Sequence, residues 1–427
     1  MEVFAVWLAG MSIVSTTMCY PSAGSATQGV FIERRLRAIC RWMPVQVVAP
    51  VPWFPLLRPV RVEGGAGASP TAAEEAGVGG PSVVRPRMFY LPGVMKRWDA
   101  AFYAAAFEKG LRATKATDTA RLIDAHFVWP DGVGAWRVAR QEGLPFVCTI
   151  RGKLVSQMAD RHKRRLIAEM FREADALIAV SRSLATLAND VAGMDLGVHV
   201  IPNGVDRMVF HRHDGAAARA ALGLPEQARC VVSVGHLQSL KGFDRLVEVW
   251  PEVRRRCGDM RLLLIGGEAG EPKYVERLNA LIDAVNRGAD LTGGGAAVTC
   301  LGRQPPETIA RLLNAADLFA LASRSEGWCN AVAEALACGC PVVATDVGGN
   351  QEIVRESRLG ELVPLGRRDA LAEAVCGALG REWERSYIAQ VGGQRDWQQV
   401  GRECVDVFEK VLGRGEALRP KQCPNPA

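Results

Sequence analysis

The chain has 427 residues, 48% of them hydrophobic and 23% charged, with a formal net charge of +6. That composition describes a soluble globular protein, and the length exceeds one ordinary core, suiting two domains of about 200 residues each. The mild positive balance is compatible with phosphate-bearing ligands or an anionic membrane surface but selects neither.

The first nineteen residues are fairly apolar but lack a basic leader. Residues 11–17 read as the first strand and the ten before them as an extension, with a weak signal peptide as the other reading. Short apolar runs then alternate with amphipathic stretches, the pattern of βαβ units and parallel sheets. Further strands are predicted at 45–49, 125–128, 146–150, 176–180 and 198–201. Residues 63–82, rich in Gly and Ala without periodicity, read as a flexible loop. Pro202-Asn203-Gly204-Val205-Asp206 is turn chemistry and marks the domain boundary. The second half restarts with strands at 231–234, 262–265, 298–301, 318–321 and 342–344, each followed by a helix-like segment. The first of those helices is predicted over 243–249, and the Gly-rich stretch 285–297 reads as a disordered insertion. The twelve cysteines fall in apolar runs without a paired C-x-x-C pattern, which predicts buried thiols in a reducing compartment. No segment offers a long charge-free stretch for a membrane span.

The most informative run is Ser325-Glu326-Gly327-Trp328-Cys329-Asn330-Ala331-Val332-Ala333-Glu334. It sets two carboxylates around the start of one short helix, which a buried strand follows. A helix N-terminus holds anions through unpaired N–H groups and its dipole. A carboxylate one turn further in accepts hydrogen bonds from sugar hydroxyls. Glu334, set among alanine, valine and leucine, is costly there without partners. The run therefore predicts a sugar-nucleotide site.

Weaker signals sit at other strand ends, where open α/β sheets bind ligands. Gly235-His236-Leu237-Gln238-Ser239-Leu240-Lys241-Gly242 offers Lys241 to a diphosphate, against the plainer reading of a surface lysine at a turn. Gly348-Gly349, in 345–354, permits close backbone approach to phosphate. Gly29 follows the first strand, and His126 ends another, either as a structural histidine or as a site residue. Arg151-Gly152-Lys153 is a compact cationic loop. Arg161-His162-Lys163-Arg164-Arg165 is either a solvated helix face or a contact for anionic lipid headgroups. The absence of Asp-x-Asp argues against transfer through a carboxylate-held metal, and no metal site is predicted.

Taken together, the Glu326/Glu334 run, 235–242, 345–354 and Ile201-Pro202-Asn203-Gly204-Val205-Asp206 resemble the retaining glycosyltransferases of family 4, over about residues 11–412. The resemblance implies the α/β GT-B fold: two Rossmann-like, doubly wound parallel-sheet domains facing a deep cleft. It implies an acceptor-binding domain at 1–206, rejoined by a helix at about 397–412, a donor-binding domain at 207–396, and a flexible tail at 413–427. Residues 202–223 would be the hinge. Carried over by position, Glu334 accepts the ribose hydroxyls, Glu326 contacts the transferred sugar, and Gly327, Trp328, Cys329, Asn330, Ala331 and Val332 line sugar and diphosphate. Lys241 neutralises the diphosphate, Gly235 and His236 share its loop, Arg303 borders the base, and Gly29 closes over from the other domain. His126 and Arg151 join Glu326 and Lys241 in the catalytic set.

The sequence departs from that family at His236, where many members have Arg, at Arg151, where many have His, and at Cys329, where Gly or Pro is usual. The implied activity is retaining and metal-independent, with no cofactor. It moves sugar from a nucleoside-diphosphate sugar to a glycan or polyprenyl-linked acceptor in bacterial surface polysaccharide synthesis. The implied setting is cytoplasmic, with peripheral membrane contact and no nucleic acid. Two other readings remain open, an epimerase of nucleotide sugars and a non-catalytic nucleotide-sugar binding protein.

Overall fold

A computed structural model describes residues 12–22, 28–54, 80–91, 93, 95–114, 119–221, 229–288 and 296–418. The chain divides into two compact units, one of residues 1–203 with 397–427, the other of residues 204–396.

The first unit contains β1 Ser12–Thr16, β2 Val45–Val48, β3 Val51–Trp53, β4 Ser82–Val84, β5 Arg87–Phe89, β6 Ala120–His126, β7 Phe146–Ile150, β8 Ala176–Ala179 and β9 His199–Val200. Seven of these form one parallel sheet in the order β4-β2-β1-β6-β7-β8-β9, and β3 pairs with β5 apart from it. The central strands are buried along their length, so Val, Ile and Ala runs replace the alternation of a half-exposed sheet. The helix Trp397–Leu418 belongs to this unit: Val400, Cys404, Val405, Val407, Phe408 and Val411 share a core with Ile32, Leu36 and Ile39 of the helix Val30–Ile39.

The second unit repeats the plan. Its strands are β10 Arg229–Val234, β11 Met260–Ile265, β12 Val298–Cys300, β13 Leu318–Leu321, β14 Val342–Thr345 and β15 Gly360–Val363, parallel in the order β12-β11-β10-β13-β14-β15. In both sheets the strand order reverses beside the first strand, between β1 and β6 and between β10 and β13. Open α/β sheets leave a crevice beyond the carboxyl ends at such a reversal, which fixes where a ligand can sit.

Several expectations are corrected. The strand expected at 125–128 is β6, which begins at Ala120 and ends at His126; the polar Arg121 and Asp124 break the apolar pattern, but Asp124 is fully buried and paired. The helix expected at 243–249 runs on to Cys257 through Pro251, because Trp250 and Val253 pack into the core beyond the proline. The insertion expected at 285–297 is helical as far as Arg287, and residues 289–295 lie outside the described residues. Of the loop expected at 63–82, residues 63–79 lie outside the described residues and Ser82 opens β4. The tail expected from 413 is helical to Leu418. Gly204, Val205 and Asp206 fall in the second unit and not the first, because Val205 bridges to Asp396 and packs in the second unit's core. The amino-terminal extension lies outside the described residues. The described cysteines are free thiols, six of them buried. Among the described residues no helix is long and apolar enough to cross a membrane.

Candidate functional site

Beyond β10 the chain turns through a single 3-10 turn, Ser239–Lys241, before the helix Phe243–Cys257 starts at Gly242. The stem of Lys241 lies over Gly235, where an added Cβ would stand 3.3 Å from its Cγ and Cδ. Its ammonium donates to Glu326 Oε1 at 2.7 Å, and Ser323 Oγ donates to the same oxygen at 2.7 Å. Ser323 is itself fixed, its carbonyl accepting from Thr345 Oγ1 at 2.6 Å. Gly348 closes the far side with φ +53, and any Cβ there would fall 1.7 Å from the Glu326 carbonyl oxygen. Glu326 is thus 8% exposed and held from three directions. Burial alone would lower the Lys241 pKa, but the adjacent Glu326 outweighs it and holds the ammonium above its ordinary value. The ammonium is therefore charged at neutral pH.

Four residues after Glu326 begins the helix Asn330–Ala337. No side chain caps its start, and the first intrahelical bond to form is Ala333 N–H to Cys329 O at 3.2 Å. The first-turn amides of Asn330, Ala331 and Val332 therefore precede any intrahelical acceptor. Val332, Ala333, Ala335, Leu336 and Ala337 are buried, which leaves Asn330, Ala331 and Glu334 on one half-open face. The Cys329 thiol is buried, and burial first, then Glu326, pushes its pKa up to about 12, so it stays a neutral thiol. The buried Trp328 Nε1 has no hydrogen-bond partner. A polar mouth with a hydrogen-bonded Lys–Glu pair, an uncapped helix start and a second carboxylate one turn on is suited to a phosphorylated, hydroxyl-rich ligand.

The neighbouring strand ends are stitched to this mouth. Leu237 N–H bonds Gly267 O and Gly266 N–H bonds Gly302 O, both at 2.9 Å. Arg303 is exposed, its guanidinium over Gly267, and His236 is exposed on its loop.

The reversal point of the first unit holds a different arrangement. Gly29 starts the helix Val30–Ile39 with φ +72, and a Cβ there would lie 2.0 Å from the Cys19 carbonyl oxygen, so the close chain crossing demands glycine. From the same helix Arg35 reaches inward, donating to Thr149 Oγ1 at 2.7 Å and standing 3.6 Å from Asp124 Oδ1. His126 is fully buried, its Nε2 3.2 Å from Asp124 Oδ2 and 3.1 Å from Ser15 Oγ. Its Nδ1 accepts from Arg151 Nη2 at 3.4 Å, which leaves the ring proton on Nε2, toward Asp124. Arg151 also donates to Asn203 Oδ1 at 3.2 Å and lies 4.8 Å from the Phe31 ring centre.

Burial sets the protonation here. It pulls the His126 pKa down to about 4 against the pull of Asp124, so the imidazole is neutral at pH 7. Burial would raise the Asp124 carboxyl, yet His126 and Arg35 hold it below its ordinary value. Burial and then Arg35 lower the Arg151 pKa to about 9, which leaves the guanidinium charged. One turn beyond β6, the buried Asp131 accepts the Met18 N–H at 2.6 Å, and burial raises its pKa to about 6.

Of the four residues expected in the catalytic set, Lys241 contacts Glu326 and His126 contacts Arg151. The two pairs lie in different units. Sequence reasoning missed Ser15, Arg35, Asp124, Asp131, Asn203 and Ser323. Asp124 carried a usable signal, a carboxylate inside an apolar strand; Ser323 carried none. Among the described residues no group of three or more His, Cys, Asp or Glu is placed to hold a metal ion.

Comparison with known proteins settles the family. Residues 59–208 match Glycosyltransferase Family 4 and residues 228–381 match Glycosyl transferases group 1. The D-inositol 3-phosphate glycosyltransferase of Segniliparus rotundus is 31% identical over 314 residues, 70% of this chain and 68% of that one. The enzyme of the same name from Mycobacteroides abscessus is 30% identical over 349 residues, 74% of this chain and 73% of that one. The chain belongs to glycosyltransferase family 4. It is a glycosyltransferase that uses a nucleotide sugar, and the epimerase and binding-protein readings fall away. Its fold is GT-B. The sucrose-phosphate synthase of Thermosynechococcus elongatus superposes with a TM-score of 0.75 at 20% identity, over 95% of this chain and all of that one. The Anabaena Alr3699/HepE complex with UDP-glucose superposes with a TM-score of 0.64 at 19% identity, over 96% of this chain and 100% of that one.

Proposed function

We propose that the second unit holds a nucleoside-diphosphate sugar, and that the enzyme transfers the sugar with retention of configuration and without a divalent metal. The observation that carries this reading is the 2.7 Å Lys241–Glu326 pair beside the uncapped start of the helix Asn330–Ala337. The pyrophosphate rests against Gly327 and the amides of Asn330, Ala331 and Val332. Glu334 accepts from the ribose hydroxyls, Arg303 borders the base, and Glu326 meets the transferred sugar. An ammonium has three donors, so Lys241 can keep its bond to Glu326 and still donate to a phosphate oxygen.

The charge logic is direct. The bond between anomeric carbon and phosphate oxygen breaks and its electron pair leaves on the phosphate. Lys241 and the helix amides stabilise that charge in place, which is the work a metal would otherwise do. The acceptor hydroxyl attacks from the face the leaving group vacates and gives its proton to the departing phosphate, so no protein nucleophile is required.

A uridine donor is favoured by the UDP-glucose bound to the Anabaena neighbour. For the acceptor, the names of the relatives favour a phosphorylated polyol. A polyprenyl-diphosphate-linked glycan of bacterial surface polysaccharide synthesis shares that phosphate chemistry. The exposed Arg161, Arg164 and Arg165 on the helix Arg161–Glu173 favour peripheral contact with the cytoplasmic face of an anionic membrane in that second case. The test is UDP release from UDP-sugars with inositol phosphate or with a polyprenyl-diphosphate glycan, in EDTA, and NMR of the product's anomeric centre. Acceptor-dependent release with retained configuration in EDTA is expected. An inverted product, or activity that returns only with added metal, defeats the reading.

A further inference from the structure

A separate cavity of about 480 Å³ opens in the second unit on the side of the sheet that carries the helices Phe243–Cys257 and Arg368–Gly380. Its walls bring together Arg245, Arg277, Arg324, Arg367 and Arg368, faced by only two carboxylates, Asp244 and Glu248. Neither Lys241 nor Glu326 lines it.

The acidic groups are already engaged. Asp244 takes Arg324 at 3.1 Å and the Tyr274 hydroxyl at 3.0 Å, with Arg277 at 3.9 Å. Glu248 pairs with Arg368 at 2.8 Å. Arg367 leans on Asp369, outside the cavity, at 2.8 Å. Among the described residues no carboxylate pairs with Arg245, which is half-buried at the wall. The cavity therefore holds an excess of guanidinium groups, one of them unpartnered. The pairs made by Arg367 and Arg368 are solvent-exposed, and exposed pairs are weak enough for an incoming anion to replace.

We propose that this cavity is a second ligand site, for a compact polyanion carrying at least two phosphate groups. Planar guanidinium forks converging from four separate chain segments match phosphate oxygens bidentately, as a single surface lysine does not. The volume is that of a small-molecule site and exceeds what one phosphate fills. The site also touches the chemistry of the known reaction by one covalent step: Arg324, which donates to Ser239 O at 2.7 Å, is the neighbour of Ser323, whose hydroxyl fixes Glu326. A polyanion that draws Arg324 from Asp244 acts on the loop that carries Glu326.

The probe is inorganic tripolyphosphate, titrated calorimetrically into the full chain with UDP saturating. The wild type is expected to bind one further equivalent. Arg245→Ser and Arg367→Ser, each at the cavity wall, are expected to weaken that binding at least tenfold while UDP binding and the melting temperature hold. Lys241→Met is expected to keep the tripolyphosphate site and lose UDP affinity. Absence of tripolyphosphate binding in the wild type, or equal binding in both arginine variants, overturns the proposal. Unchanged UDP affinity in Lys241→Met would instead count against the donor assignment and leave the cavity standing, so the two failures are distinguishable.

Discussion

The two sheet-reversal points of this molecule place charged groups at equivalent topological positions and treat them in opposite ways. In the first unit Asp124 and His126 are 0% exposed and Arg35 is 2% exposed, and at the histidine burial overrides pairing: His126 is stripped of its proton, although the Asp124 carboxyl stays below its ordinary value. In the second unit the Lys241 side chain is 20% exposed, and pairing overrides burial: the lysine holds its proton more tightly. The same architecture thus yields a sealed, fixed polar core in one half and an open, ionised mouth in the other. Charge that has to respond to a reacting ligand belongs at the second kind of place, because a phosphate oxygen cannot reach a donor that is sealed in a core.

The largest expected effect tests that division. Glu326→Gln keeps a hydrogen-bonding side chain but removes the charge that fixes Lys241. Turnover is expected to fall about 10²–10³-fold with the melting temperature little changed. The comparison breaks if His126→Gln costs as much turnover at equal stability, since a sealed support should lose stability along with rate. Next comes Gly348→Ala. Its Cβ would collide with the Glu326 carbonyl oxygen at a positive φ, so a loss of about 3 kcal/mol in a urea titration is expected, together with reduced turnover. An equally stable Gly348→Ala protein would show that the loop is not held as described.

The smallest effect sharpens the picture of the first unit. His126, lowered to about 4, makes stability rise with pH between about 4 and its ordinary 6.5, because the unfolded chain binds more protons there. Asp131, raised from 3.8 to about 6, makes stability fall with pH between those values, because the folded chain binds more. The two trends oppose each other. Asp131→Asn removes the second, so its stability should climb with pH from 4.5 to 6.5 by on the order of 1 kcal/mol per pH unit relative to wild type. Parallel wild-type and variant curves would mean that Asp131 does not titrate as its burial implies.

Much of the second unit was legible because its chemistry is local. Glu326, Gly327 and Glu334 lie on one short segment, and a glutamate surrounded by alanine and leucine advertises itself. Lys241 was legible as a cation at a strand end, but its contact with Glu326 spans 85 positions and follows only from the pairing of β10 with β13. The sealed centre of the first unit was legible only in part. His126 and Arg151 stood out at strand ends, whereas nothing local marked Arg35, whose partners Thr149 and Asp124 lie far along the chain. Asp124 hid β6 by breaking its apolar run, and Pro251 hid half of a helix that core packing carries through. The edge strand β15, with exposed Glu361, and the three-residue β3 and β5 gave too little pattern to be read.

On the proposed function, a diphosphate binds where Lys241 and the first turn of the helix Asn330–Ala337 converge. Calorimetric titration of UDP into wild type and Lys241→Met tests it most directly. The Kd of the variant is expected to be at least tenfold weaker, about 1.4 kcal/mol. Equal affinity in two equally folded proteins would contradict it.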